Sequence, residues 1–263
     1  MDINKFKELF HESWWIKFKP FLESSEFEKL WTNLKERSSR GKVIYPYSTL
    51  LKKKDPTIEN CIFRAFKETS LDDLKVIIIN NSPYYDIKYN KVVADGLAFS
   101  SRVDDEPLLL EILYNTIEED VYNGSGIVMK RNPNLSFLAE QGVLLLNASL
   151  TNEYNMPDIH FELWKPFMTY LFKNIINNGQ SGLHIVFLGD NLKYYSDLIQ
   201  KGDENTLPFD DFHYVYNEKH VSNYRNSMIM ETDLFSTINK RLLNSNKNYI
   251  YWDEKEFIDS IPF

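Results

Sequence analysis

The sequence predicts a single-domain α/β protein with three layers, α/β/α, in which helices cover both faces of a central four-stranded parallel sheet. Four short apolar runs have the length of buried strands, at Leu74–Asn80, Gly142–Asn147, His184–Gly189 and His213–Tyr216. Helical patterns separate these runs, and such alternation is typical of parallel sheets. The 263 residues contain no internal repeat and no linker rich in Pro, Gly or Ser, which favours one domain over residues 1–263.

The remaining elements follow from apolar residues at helical spacing. The N-terminal part, about residues 1–60, is expected to be largely helical, and Ser24-Ser25-Glu26 has the residue types of a helix start. Later helices are predicted at Pro107–Asp120, Leu135–Gln141, Phe161–Ile176, Leu192–Gln200 and Thr232–Leu243. Ligands bind beyond the carboxyl ends of strands in open parallel sheets. The site is therefore expected in the loops at 80–85, 147–151, 189–192 and 217–225.

Composition narrows the functional classes only partly. The net charge of −8 and the pI of about 5.3 argue against a nucleic-acid binder, although an acidic protein can carry a local basic patch. The single cysteine, Cys61, forms no internal disulfide and is expected to pack in the core. No apolar run is long enough to cross a bilayer, and the N-terminus lacks a signal-peptide layout. A cytoplasmic or intracellular setting without a membrane partner is expected.

Several segments carry a resemblance to a known family. The strongest is Leu138–Asn147, and it is accompanied in order along the chain by Gly41–Pro46, Gly96–Ser100, His160 with Trp164–Phe167, and His220–Ser222. Together they resemble the family 1 uracil-DNA glycosylases almost from end to end. The resemblance implies the fold stated above, an enzyme that needs no metal and no cofactor, and DNA containing uracil, single- or double-stranded, as its partner.

The resemblance also implies roles for individual residues in binding a flipped-out base. Phe99 would stack on the base, and Tyr84 would lie against C5 of uracil, where it excludes the methyl group of thymine. The carboxamide of Asn147 would accept a hydrogen bond from N3–H and donate one to O4, which cytosine cannot reciprocate. His220 would donate to O2 as negative charge develops there. Asn81 is assigned to substrate binding by its place in the first motif.

The first catalytic motif departs from the family pattern. The family sequence Gly-Gln-Asp-Pro-Tyr-His is replaced here by Asn80–Tyr85, so that Ser82 stands at the position of the catalytic aspartate. Serine is uncharged and is no general base, and loss of such a base typically slows a reaction about 100- to 10,000-fold. Asp86 and Asp95 are the nearest carboxylates in sequence, but a displacement of about an ångström already costs about 100-fold. Weakened hydrolysis is expected, with Ser82 and His220 as the residues at the catalytic positions.

The resemblance assigns a second group of residues to the DNA backbone. The family sequence His-Pro-Ser-Pro-Leu is replaced by His220–Tyr224, so that Ser222 would bind a phosphate and Tyr224 would take the place of the leucine that fills the gap in the duplex. Arg225 and Pro46 are also assigned to DNA binding. Further phosphate contacts are expected from basic residues in loops, namely Arg102, Lys130, Arg131 and Lys219.

Three functions remain open from the sequence. The first is a uracil-DNA glycosylase-like protein that recognises uracil in DNA and hydrolyses the N-glycosidic bond weakly. The second is a catalytically inactive DNA-binding or replication module, for example a polymerase partner. The third is a protein-interaction domain, for example a decoy for glycosylase inhibitors. Retention of Phe99, Asn147, Tyr84 and His220 together favours the first.

Overall fold

The structure is a computed structural model that describes residues 2–42, 44–46, 61–126, 128–200 and 213–260. The strands are β1 (Ile44–Tyr45), β2 (Val76–Asn80), β3 (Ile87–Lys88), β4 (Lys91–Val92), β5 (Val143–Asn147), β6 (Asn152–Glu153), β7 (His184–Leu188) and β8 (Tyr214–Glu218). The helices are α1 (Glu12–Leu22), α2 (Ser25–Ser39), α3 (Arg64–Glu68), α4 (Leu108–Ile117), α5 (Ser136–Ala139), α6 (Phe161–Tyr170), α7 (Lys193–Ser196), α8 (Leu234–Asn244) and α9 (Glu254–Ser260).

The central sheet is the four-stranded parallel sheet that the sequence predicts. Its strand order is β5-β2-β7-β8, and each of the four lies at a predicted apolar run. Every residue of β2, β5 and β7 is buried. Strands covered by helices on both faces have no solvent-facing side, which explains their continuous rather than alternating apolar sequences. The register pairs Asn80, the last residue of β2, with Asn147, the last residue of β5.

Most helical predictions are confirmed with small changes at the ends, but the helix predicted at Leu192–Gln200 is reduced to α7, Lys193–Ser196, after a 3-10 turn at Asp190–Leu192. Ser24 caps α2, since its Oγ accepts a hydrogen bond from the backbone N–H of Phe27 at 3.3 Å. The helices predicted at 107–120 and 161–176 are α4 and α6, each continued by π-helical turns at Glu118–Tyr122 and Leu171–Ile176. Residues 47–60, the end of the predicted N-terminal helical part, lie outside the described residues.

The N-terminal helices pack against α6 through a cluster of aromatic rings. Phe18 of α1 stacks on Phe167 of α6, with ring centroids 4.6 Å apart and planes at 8°.

Cys61 is buried, as predicted. Within the described ranges, no helix combines the length and the apolar character that a membrane crossing requires.

Candidate active site

A cavity of about 410 Å³ opens at the carboxyl ends of the central strands, where the sequence predicts the site. The loop after β2 forms one wall, through residues 80–86. The loop after β8 contributes His220, Ser222 and Arg225, and Asp158 also lines the cavity. Two of the four predicted loops, those after β2 and β8, thus line the cavity. A third, after β5, begins at Asn147, which contacts the cavity residue Asn80.

Asn80 links the two residues that the resemblance assigns to reading the base. Because β2 and β5 pair in register, the side chain of Asn80 lies next to that of Asn147, and its Nδ2 donates to Asn147 Oδ1 at 3.2 Å. The same Nδ2 donates to the backbone carbonyl of Ser82 at 3.0 Å. On its other side, Asn80 Oδ1 is 3.0 Å from Nε2 of His220. The buried carboxamide of Asn80 is thus hydrogen-bonded both to Asn147 and to His220, the two residues assigned to reading the base.

The loop after β8 fixes His220 as a neutral donor. The backbone N–H of Ser222 donates to Nδ1 of His220 at 3.2 Å, and Ser222 Oγ is 2.7 Å from the same atom. Because Nδ1 accepts, the ring proton of the neutral form resides on Nε2 and points at Asn80. Burial lowers the pKa of His220, while Asp158 opposes that shift and Arg225 adds to it. In this structure the Nε2–H therefore donates to Asn80 Oδ1, and donation to O2 of a base stays a prediction.

A hydrogen bond holds Tyr84, which lines the cavity, to Phe99, which does not. Phe99 is buried, with a backbone φ of 64°, which is unusual for a bulky residue, and its carbonyl accepts a hydrogen bond from the Tyr84 hydroxyl at 3.1 Å. Gly96 allows the turn into this segment, since a Cβ there would lie 2.1 Å from the Cys61 carbonyl oxygen. Tyr84 lines the cavity, whereas Phe99 and Asn147 do not. The prediction that these residues together hold a flat base stays a prediction.

Ser82 lines the cavity, half-buried, at the position of the missing aspartate. Of the two carboxylates considered as substitutes, Asp86 also lines the cavity, but Asp95 does not. Asp95 is buried, with its Oδ2 2.7 Å from Arg64 Nη1 and 2.5 Å from Ser100 Oγ, so it is held in the core and cannot replace the base. Asp158, which no sequence signal indicated, lines the cavity, and its Oδ1 is buried without a partner among the described residues.

The residues assigned to DNA differ in their exposure. Arg225 is exposed at the mouth of the cavity, and Ser222 lines it. Tyr224 is half-buried and packs against the core from the 3-10 helix Val221–Tyr224. Asn81 lines the cavity, and its Oδ1 is buried without a partner within the described part of the chain. Pro46 is buried after β1, and its assignment to DNA binding stays a prediction.

Three of the expected phosphate ligands already have partners in the protein. Lys130 Nζ is 2.8 Å from Glu254 Oε2, and Arg131 Nη2 is 2.6 Å from Glu118 Oε2. Arg102 Nε donates to the carbonyl of Ala94 at 3.1 Å. Lys219, the fourth expected ligand, is exposed in the loop that carries His220, and Lys88 and Arg225 line the cavity with exposed side chains. Across the described ranges, no group of three His, Cys, Asp or Glu side chains is arranged to hold a metal ion.

The chain is similar to known proteins both in sequence and in fold. No family model matches the chain. The uracil-DNA glycosylase of Campylobacter fetus subsp. fetus is 30% identical over 256 residues, which cover 96% of this chain and 97% of that protein. The uracil-DNA glycosylase of Campylobacter lari is 29% identical over 96% of this chain and 99% of its own length.

Solved structures show the same fold. The crystal structure of mimivirus uracil-DNA glycosylase superposes with a TM-score of 0.73 at 21% identity, over 96% of this chain and 93% of that one. A variant of the mimivirus protein in complex with UGI gives a TM-score of 0.74 at 21% identity, over 93% of this chain and 89% of that one.

Proposed function

This chain belongs to the uracil-DNA glycosylase family and has its three-layer fold, and we propose that it binds DNA, recognises uracil flipped out of the strand and hydrolyses the N-glycosidic bond slowly. The proposal extends the family assignment to this chain's own residues. It rests on how the strand-end loops arrange hydrogen-bonding groups, on the exposed cations beside them, and on the absence of a carboxylate at position 82.

The observation that carries recognition is the convergence of His220 Nε2–H and Asn147 Oδ1 on a single small polar group. A donor and an acceptor in this arrangement match a carbonyl next to an N–H, which is the O2 and N3–H edge of uracil. Cytosine has an acceptor at N3, so its edge would face the Asn147 oxygen without a proton. A site built to hydrogen-bond one edge rejects the wrong edge strongly, because buried polar groups are then left unpaired.

The same groups account for slow rather than fast chemistry. When the bond between the base and C1′ of deoxyribose breaks, its electron pair moves onto the base, and the Nε2–H of His220 stabilises the charge that develops on O2. A water molecule then adds to C1′ and loses a proton. Ser82 cannot take that proton as a carboxylate does, and Asp86 and Asp158 line the cavity without standing at position 82. Departure of the base is assisted, whereas capture of water is not.

DNA binding is proposed at the mouth of the cavity despite the acidic chain. Arg225 and Lys88 line the mouth with exposed side chains, and Lys219 is exposed in the same loop as His220. Each cation that neutralises a phosphate releases counterions, so binding is expected to weaken as salt is raised. A few local cations are sufficient for this effect, since interactions with distant acidic residues are screened within about 10 Å at 0.1 M salt.

A catalytically inactive DNA-binding or replication module, or a protein-interaction module such as an inhibitor decoy, is the second candidate. Two observations favour it: Ser82 carries no charge, and both reading groups are already hydrogen-bonded to Asn80. In this alternative the base slot is a structural remnant, and the DNA or protein surface is the functional part.

Release of uracil under single-turnover conditions separates the two candidates. The protein, in excess, is incubated with a single-stranded oligonucleotide containing one uracil, and abasic sites are counted after cleavage with alkali. We expect slow release that is abolished in His220→Ala and absent with a thymine oligonucleotide. Salt-sensitive DNA binding without any preference for uracil and without release would refute the glycosylase proposal and support the second candidate.

A further inference from the structure

The Asn80 carboxamide has the same hydrogen-bonding pattern as half of a uracil ring. Its carbonyl oxygen accepts from His220 at 3.0 Å, and its NH₂ group donates to Asn147 at 3.2 Å. A carbonyl beside an N–H, with the oxygen toward a histidine donor and the hydrogen toward an amide acceptor, is also what the O2 and N3–H edge of uracil presents. The side chain thus satisfies both groups that would otherwise read the base.

Two backbone groups fix the orientation of this carboxamide. The carbonyl of Ser82 can only accept, so the Asn80 atom 3.0 Å from it is the NH₂ nitrogen. The backbone N–H of Ser222 can only donate, so Nδ1 of His220 accepts and Nε2 carries the proton that the Asn80 oxygen receives. A flipped amide would point its NH₂ group at the Nε2–H of His220 and its oxygen at the two acceptors, the Ser82 carbonyl and Asn147 Oδ1, and is therefore excluded.

Burial shows where this side chain lies relative to the open space. The cavity is lined by Asn80 and His220, but not by Asn147 or Phe99, which are 3% and 2% exposed. Asn80 therefore lines the cavity and at the same time contacts Asn147, which does not line it. The motif of the family has glycine at this position, so a side chain is present here where the pattern provides none.

We propose that the Asn80 side chain is an internal occupant of the base slot, which uracil must displace before it can contact Asn147 and His220. This inference rests on the proposed function for the identity of the ligand, but not for the existence of the occupant. It makes Asn80 a residue that determines affinity for the base, separately from Ser82, which limits the chemistry.

Free uracil is the probe for this inference, with binding measured by isothermal titration calorimetry on the full chain. We expect Asn80→Gly to bind uracil about tenfold to a hundredfold more tightly than the wild type, because two competing net hydrogen bonds are removed. Asn80→Ala, which keeps Cβ and avoids the backbone freedom of glycine, should also gain affinity. Asn178→Gly is the matched control, since it removes an exposed amide bonded to the carbonyl of Lys173, and it should bind as the wild type does.

A second measurement begins without ligand, so that it tests the occupant independently of the proposed function. In ¹⁵N-labelled protein, the Nε2 proton of His220 should be protected from exchange in the wild type, lost in Asn80→Gly, and restored when uracil is added. An unprotected proton in the wild type, or a folded Asn80→Gly that binds uracil no better, would overturn the occupant. If both measurements confirm the occupant but no variant releases uracil from DNA, the glycosylase proposal is refuted and the proposal about Asn80 still holds.

Discussion

Restoring the missing carboxylate tests whether Ser82 limits the chemistry. The substitution is Ser82→Asp, made both in the wild type and in Asn80→Gly. Ser82 lines the cavity, half-buried, in the loop directly after β2. A general base there is worth about 100- to 10,000-fold in rate, which corresponds to about 2.7–5.5 kcal/mol of activation free energy.

The surroundings of position 82 favour the lower end of that range. Asp86 and Asp158 line the same cavity, and two like charges together with partial burial raise the pKa of an added carboxyl group. Arg225 acts in the opposite direction, but solvent screens the exposed Arg225 and Asp86 alike, so the half-buried Asp158 has the larger effect. We therefore expect a gain of about 100-fold, increasing with pH until the new carboxyl group is ionised.

The assay is single-turnover release of uracil, with Ser82→Asn as the matched uncharged control. If Asn80 blocks the slot, Ser82→Asp alone should show only part of the gain, and the full gain should appear in the Asn80→Gly background. Coupling between neighbouring residues of this kind is what a double-mutant cycle measures. A Ser82→Asp, Asn80→Gly protein that is folded, binds DNA and is no faster than Asn80→Gly would refute the reasoning about position 82.

Two further predictions concern DNA affinity and acid stability. Arg225→Ala should weaken DNA binding in a filter-binding or anisotropy titration and reduce the slope of log K against log salt by about 1. Lys130→Ala is the control. The ammonium group of Lys130 is paired with Glu254, so this change should alter neither the affinity nor the slope. Burial lowers the pKa of His184 to about 3, so the unfolded state binds its proton first as pH falls below about 6.5. Stability is therefore complete above that pH, and about 2 kcal/mol should be lost between pH 7 and pH 5. Urea unfolding of His184→Gln should show a smaller loss, and an unchanged pH dependence would contradict the assignment.

The sheet and the location of the site could be predicted from the sequence because both depend on local patterns. Continuous apolar runs indicate strands buried on both faces, and the alternation with helices makes them parallel. Parallel strands bring their carboxyl ends to one edge, which places the loops after β2, β5 and β8 together. These steps require no knowledge of which side chains touch.

Side-chain partners could not be predicted, because they depend on contacts between distant parts of the chain. Lys130 has the appearance of a free loop cation until Glu254 is found 2.8 Å away. Asp158 reaches the cavity from a loop in which its own φ is 57°, a backbone conformation that no sequence pattern specified. The substitution at Asn80 was visible in the motif, but its consequence required the register that sets it beside Asn147.

Because Asn80 occupies the base slot, there is a second explanation for the retention of Asn147. A buried acceptor such as Asn147 Oδ1 would normally require a substrate to satisfy it, so its presence would argue for base recognition. Here Asn80 satisfies it within the folded protein. The pair can therefore be retained because it stabilises the end of the sheet, and stability measurements can show how much it contributes.

The prediction is that Asn147→Ala depends on the residue at position 80. In the wild type it removes the acceptor for Asn80 at a residue only 3% exposed, and the free energy of unfolding should fall by about 1–3 kcal/mol. In Asn80→Gly the same change should cost less, with a coupling of about 0.5–3 kcal/mol from urea unfolding of the four proteins. Equal costs in both backgrounds would show that the hydrogen bond contributes nothing to stability. Retention of Asn147 would then again argue for recognition of a base.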